Sequence, residues 1–272
     1  MMYFVFTIDG DWDEYFNIKL SDEQRKPKKD QLLALVRHEI ELAASTLNGK
    51  FIHFVHTSPL AKDSFLKPEF ISLWKEVEAG GGEVGIHCHE EDLYQAWHYD
   101  NQERMESTIG FEVDELNKNG LSPKTYRGGF MTFSPKVIPI LEENGIFLDF
   151  SCDPGRHLKY GDSLVSDWQG APDNFYRMSY DDHRRPGDSK VFEIPLGIYI
   201  EKRSLWSIWR KARKLKKKKE LQILSVMAHT YDFVSWKMRL KIKLALLILK
   251  KYGKFIDTVT ALNIINEQEQ AK

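Results

Sequence analysis

Several short apolar runs in this chain end in groups that can hold a metal ion or carry a proton. Residues 3–8 (YFVFTI) lead into Asp9, Asp11 and Asp13, residues 83–86 lead into His87-Cys88-His89 with Glu91 beyond, and residues 222–228 end in His229. Arg127 and Asp149 stand at or just after the ends of two further segments. Imidazole and carboxylate are both competent ligands for zinc and similar divalent ions, and both can move protons near neutral pH. Each residue alone has a bland reading: an aspartate after a strand is an ordinary turn former, and an isolated histidine is usually structural. Their joint placement is what points to a site.

The elements that would carry them alternate. Strand-like runs at 3–8, 51–55, 83–86, 146–150, 192–200 and 222–228 are separated by helical patterns at 31–47, 70–79, 101–119, 135–144 and 240–252, and residues 255–262 read as a last strand and turn. Several apolar runs lack a period of two, as strands buried on both faces do. The expected fold is α/β, a distorted, incomplete (β/α)7-type barrel of mainly parallel strands forming a single domain over residues 1–272. The carboxyl ends of parallel barrel strands gather on one face, where active sites sit.

Composition narrows the field. The 272 residues carry 39 Lys and Arg against 40 Asp and Glu, so net charge names no partner, and no nucleic-acid module is recognisable. Two cysteines cannot make a disulfide framework. The N-terminus lacks a basic and apolar leader pattern, and no apolar run approaches membrane-spanning length, so the expected location is cytoplasmic.

On its motifs the sequence resembles the polysaccharide deacetylase family (NodB-homology domains, carbohydrate esterase family 4), over most of the chain. TIDGD at 7–11 stands where the family has its paired aspartates, EVGIHCHEE at 83–91 where it has H-x-x-x-H, TYRGGF at 125–130 at its arginine motif, and LSVMAHTYDF at 224–233 at its last histidine. The resemblance implies Asp9 as general base, Asp11 as metal ligand, His87 as a second ligand, Arg127 as the group holding Asp9 ionised, and His229 as general acid. Asp149 would tune His229, with Asp153 its competitor. The second histidine position holds Glu91, so either Glu91 or His89 completes the metal set. The ion would be zinc, with manganese, iron or cobalt as alternatives. Gly128 would offer a backbone N–H to an oxyanion, and Trp12 could stack on a sugar.

The implied function is metal-dependent removal of an N-acyl group from an acylated amino sugar, a precursor in surface-polysaccharide biosynthesis that could be nucleotide-linked, lipid-linked or oligomeric. The alternatives are a deformylase or other C–N amide hydrolase, and a catalytically silent carbohydrate- or lipid-binding protein. Residues 210–219 (RKARKLKKKK), preceded by Trp206 and Trp209, read as a solvated helix face or, more sharply, as a membrane-surface contact peripheral to the inner face of a membrane.

Overall fold

The computed structural model describes residues 1–90, 99–161 and 163–270. Its main sheet contains β1 (Met2–Asp9), β2 (Ile52–His56), β3 (Glu83–Cys88), β4 (Thr125–Gly128) and β5 (Leu148–Asp149). An antiparallel hairpin follows, β6 (His157–Tyr160) and β7 (Ser163–Asp167), and then β8 (Tyr176–Arg177), β9 (Phe192–Glu193), β10 (Leu196–Tyr199), β11 (Gln222–His229) and β12 (Lys254–Phe255). The order across the sheet is β10-β11-β1-β2-β3-β4-β5-β9-β8, parallel except for β8, with β12 beside β1. One extended stretch, residues 192–199, supplies both β9 and β10: it pairs with β5 at its start and with β11 at its end. The curled sheet therefore returns towards itself through a single segment. Pro195, with no N–H to give, sits at the irregular seam. This is the distorted, incomplete barrel expected.

Helices α1 (Asp22–Arg25), α2 (Lys29–Leu47), α3 (Lys62–Phe65), α4 (Pro68–Ala79), α5 (Gln102–Lys118), α6 (Val137–Glu143), α7 (Leu205–Lys216), α8 (Trp236–Lys250) and α9 (Thr258–Gln270) surround the sheet. Strand alternation sorts side chains into two layers. Val5, Ile52, Phe54, Leu148, Phe150 and Ile223 form an inner cluster, joined by Ala261 and Ile265 of α9. Phe4, Phe6, Val55, Ile86 and Tyr126 point the other way and pack with the surrounding helices. The expected strand and turn at 255–262 is corrected by α9: only Lys254–Phe255 pairs as a strand, and from Thr258 the chain is helix, with Ala261 and Ile265 at helical spacing on the inner cluster.

Glu112 of α5 is fully buried, and its two carboxyl oxygens lack hydrogen-bond partners among the described residues. Burial pushes its pKa from the ordinary 4.5 to about 8, with the charge of Lys62 opposing. The folded chain thus holds a proton that the unfolded chain releases near pH 4.5. This contribution is fully present below that pH and is lost as pH rises towards 8. We expect Glu112→Gln to flatten the decline, so that stability relative to wild type improves by up to about 4 kcal/mol between pH 5 and 8. Urea denaturation of both proteins at the two pH values measures it, and equal slopes would refute it.

Candidate metal and acid–base site

The site is built by strand alternation carried to the carboxyl ends of neighbouring strands. In β1, Val5 is in the inner cluster and Asp9, four residues on, shares its face; in β2, Ile52 and Phe54 lead to His56. His87 ends the inner face of β3, Arg127 that of β4, and His229 that of β11. Registers agree: Asp9 lies opposite His229 and Phe54, and His87 lies opposite His56 and Arg127. A His-x-His spacing keeps both rings on one face of an extended chain, which is how His89 joins His87.

Arg127 closes the floor. Its guanidinium lies over the rings of Phe54 and Phe150, 4.8 and 5.9 Å from their centroids, and Nε donates to the Phe150 carbonyl at 3.0 Å. Nη1 donates to Asp9 Oδ1 in an ion pair with both side chains buried. The other Asp9 oxygen faces the cavity, 3.9 Å from His87 Nε2 and 4.0 Å from His229 Nε2.

Above this pair Asp11, His56, His87 and His89 form a buried cluster whose ligand atoms lie within 4.8 Å of one another. His87 and His89 turn Nε2 to Nε2 at 3.0 Å, and both atoms stand 3.4–3.5 Å from Asp11 Oδ1. The Nδ1 of His87 is 3.1 Å from the Arg127 carbonyl, so its proton belongs there and Nε2 offers a lone pair to the cluster. Two ring nitrogens and a carboxylate at this spacing fit one small cation, whose tetrahedral donors stand roughly 3.3 Å apart. Burial alone would raise the Asp11 pKa. His87 and His89 overcome it, with the His56 hydrogen bond, and hold the carboxyl well below the usual range.

His56, an isolated histidine of the kind that reads as structural, has its Nδ1 2.8 Å from Asp11 Oδ1, and its ring stacks on His89 at 4.4 Å. Burial lowers its pKa to about 3, so it is a neutral donor that orients Asp11. The signal was available: residues 51–56 (FIHFVH) are another apolar run ending in His.

A cavity of about 380 Å³ opens on these groups, lined also by Tyr199, Tyr231, Phe130, Met131 and Lys202. His229 Nδ1 is 3.5 Å from the Tyr199 hydroxyl and 3.9 Å from Asp232 Oδ2, and its ring stacks on Tyr231 at 4.6 Å. Two glycines permit the crowding. A Cβ on Gly10, between the two aspartates, would stand 2.6 Å from the Phe54 carbonyl, and one on Gly129 would stand 2.5 Å from the His89 ring. Phe130 and Met131 then take left-handed φ values of 53° and 61°, uncommon without glycine. The Met131 carbonyl is held there by Ser166 Oγ and Trp168 Nε1, each at 2.7 Å.

Three expectations are corrected. Asp149 does not reach His229: Leu148 and Phe150 take the inner face, so Asp149 points outward, where it binds Ser151 and the buried Glu193. Its competitor Asp153 lines the cavity but pairs with Arg156, at 3.8 Å. Gly128 cannot serve an oxyanion because its N–H donates to Ser151 Oγ at 2.8 Å. Trp12 is buried, donates Nε1 to the Arg25 carbonyl and backs His56 at 4.8 Å, away from the cavity lining. Glu91 lies outside the described residues, as do Trp97 and His98. Cys88 and Cys152 are free and buried, and burial raises both thiols.

No protein-family model matches the sequence, and no curated protein matches it. Solved structures match its fold. A protein assigned as a polysaccharide deacetylase from Mycobacterium smegmatis aligns with TM-score 0.66 and 14% identity over 98% of this chain and 91% of that one. A Parabacteroides distasonis protein assigned as a glycoside hydrolase/deacetylase gives TM-score 0.62 and 14% identity, over 91% of this chain and 65% of that one. A 4-alpha-glucanotransferase from Thermococcus litoralis gives 0.59 and 12%, over 97% of this chain and 38% of that one. The chain thus shares its fold with these solved structures, two of which are assigned as deacetylases. A glucanotransferase among the likenesses means that the site, and not the fold, must decide the reaction.

Proposed function

We propose that this protein is a metal-dependent hydrolase that removes an N-acyl group, acetyl in the simplest case, from an acylated amino sugar. The observation that carries the reading is the convergence on one cavity of an arginine-held carboxylate (Asp9), an Asp/His/His ligand cluster and a second imidazole (His229). A glycosyl-transfer site needs paired carboxylates flanking a sugar bond. Here, of the three carboxylates that line the cavity among the described residues, Asp11 is committed to histidines, Asp9 to Arg127, and Asp153 stands 3.8 Å from Arg156.

Asp11, His87 and His89 would hold the ion, and zinc suits two imidazoles and a carboxylate. When bound it supplies a Lewis acid for the acyl oxygen and lowers the pKa of a water. Asp9, anchored through Oδ1 by Arg127, presents Oδ2 to take the proton of the attacking water. His229 stands across the cavity to protonate the departing amine, its ring set by Tyr199, Tyr231 and Asp232. A sugar N-acyl group is neutral and compact and fits a cavity of about 380 Å³ together with its ring.

Elemental analysis of protein purified without chelator tests the ligand set, and acetate release from N-acetylated amino sugars, free, nucleotide-linked and lipid-linked, tests the reaction. The expected result is about one divalent ion per chain in wild type, lost in His87→Ala and in Asp11→Ala, with acetate released by wild type alone. Failure to take up zinc, cobalt or manganese on reconstitution would overturn the reading. A metal-loaded protein releasing formate, or opening cyclic amides, would move it to another C–N hydrolase.

A further inference from the structure

The chain is nearly neutral, but its charge is strongly segregated. Residues 202–219 hold ten Lys and Arg and residues 233–256 hold seven, with no Asp or Glu in either stretch; the rest of the chain carries 22 basic residues against 40 acidic. These two stretches are α7 and α8 with their flanks, and the helices pack against one another. Ile208, Ala212 and Leu215 of α7 and Ile242, Ala245, Leu246 and Leu249 of α8 are buried in a common core.

What the pair presents outward is unusual for a helix facing water. On α8 the exposed line is Trp236, Leu240, Leu244 and Leu247, spaced four, four and three residues apart, with Trp236 62% and Leu240 47% exposed. Exposed Lys237, Lys243, Lys250 and Lys251 flank it. A surface helix normally turns polar residues to solvent along that line. On α7 the outward residues are Trp206, 62% exposed, with Arg210, Arg213 and Lys217, and the Arg210 guanidinium lies 4.6 Å from the Trp206 ring. Apolar side chains bordered by cations, with tryptophan among them, match the headgroup zone of an anionic bilayer, where rings and leucines enter the acyl boundary and cations meet lipid phosphates. No described helix is long and apolar enough to cross a membrane, so the contact would lie in the membrane plane.

The surface adjoins the site. α7 follows β10, and Tyr199 and Lys202 of that passage line the cavity; α8 follows β11, and His229 and Tyr231 of that passage line it too. Trp206 and Trp236 fall in the first turns of their helices, at the end nearest the cavity mouth.

We propose that the outward faces of α7 and α8 dock this protein on an anionic lipid bilayer and hold the cavity mouth beside it, so that its acylated amino sugar is one carried on a membrane lipid. The docking stands on surface chemistry alone; the lipid-linked substrate rests on the hydrolase reading above.

Co-sedimentation of the full chain with vesicles of phosphatidylcholine, alone or with a third phosphatidylglycerol, tests it at low and high salt. The wild type is expected to pellet with the anionic vesicles at low salt and to be released by salt. Arg210→Glu, Arg213→Glu and Lys217→Glu together should weaken the partition roughly 100-fold, and Trp206→Ser, Trp236→Ser and Leu240→Ser together about tenfold. All six positions are exposed or at the surface rim, so melting temperatures should stay near wild type. No binding at low salt, binding indifferent to lipid charge, or binding untouched by both variants would overturn the proposal. So would tighter binding to duplex RNA, which would mark a general polyanion site, or a dimer dissolved by the same substitutions without vesicle binding, which would mark a self-association face. Vesicle binding without acyl release would leave the docking surface standing and remove the hydrolase; acyl release without vesicle binding would do the reverse.

Discussion

Asp9→Asn is expected to lower kcat/KM for acyl release by a factor on the order of 10²–10⁴ while metal content stays at the wild-type level. The amide matches the carboxylate in shape and keeps an oxygen for the Arg127 guanidinium, so the floor of the site persists. What it lacks is a basic lone pair on the side that faces the cavity, where Asp9 Oδ2 stands about equally far from His87 and His229 Nε2, at 3.9 and 4.0 Å. Asp11 is placed differently: its Oδ1 lies 3.4 and 3.5 Å from the Nε2 atoms of His87 and His89, and changing it should remove the ion along with activity. The division between the two aspartates is therefore a measurable one. Asp9, Asp11 and His229 also form a set with ligand atoms within 4.8 Å of one another. If Asp9→Asn lost metal as Asp11→Ala does, the two carboxylates would share the ion, and another group would have to act as base. Wild-type turnover in Asp9→Asn would sink the proton-transfer scheme outright.

The same geometry shows what the sequence made legible. Asp9, Asp11, His87, His89 and His229 were visible because each closes or follows an apolar run, Arg127 because of the TYRGGF motif it belongs to, and parallel strands deliver their ends to one rim. The physics of alternation was needed to go further. Asp149 looked equivalent by position, but Leu148 and Phe150 claim the inner face of β5, which turns the carboxylate between them towards Ser151 and Glu193. His56 ends an apolar run as His229 does but belongs to no motif, and its face is fixed by Ile52 and Phe54 pointing inward. Trp12 sits beside the motif in sequence, yet an indole N–H in reach of the Arg25 carbonyl and rings on three sides hold it in the core. Residues 210–219 were legible as a basic helix. That α8 turns Leu240, Leu244 and Leu247 outward was not, since an apolar heptad reads as a buried face until its neighbours show which side is taken.

Arg127→Met should cost roughly 3–5 kcal/mol of stability, the usual result of removing one partner from a buried ion pair. The methionine can occupy the space over Phe54 and Phe150, so the loss is not chiefly one of packing. It comes from leaving the Asp9 carboxylate, whose side chain is only 4% exposed, without its counter-charge, and the Phe150 carbonyl without its donor. The cause is separable by a double-mutant cycle. With Asp9→Asn already in place no anion remains paired to the guanidinium, so Arg127→Met should then cost much less, and the coupling should exceed about 2 kcal/mol. The catalytic consequence follows with a definite sign. Without the guanidinium, Asp9 loses the donor that fixes its Oδ1, so Oδ2 is no longer held towards the cavity and kcat should fall with KM little changed. Additive losses in the cycle, together with a wild-type kcat, would mean that Arg127 acts only as a filler of the barrel floor and that Asp9 is held in place by something else.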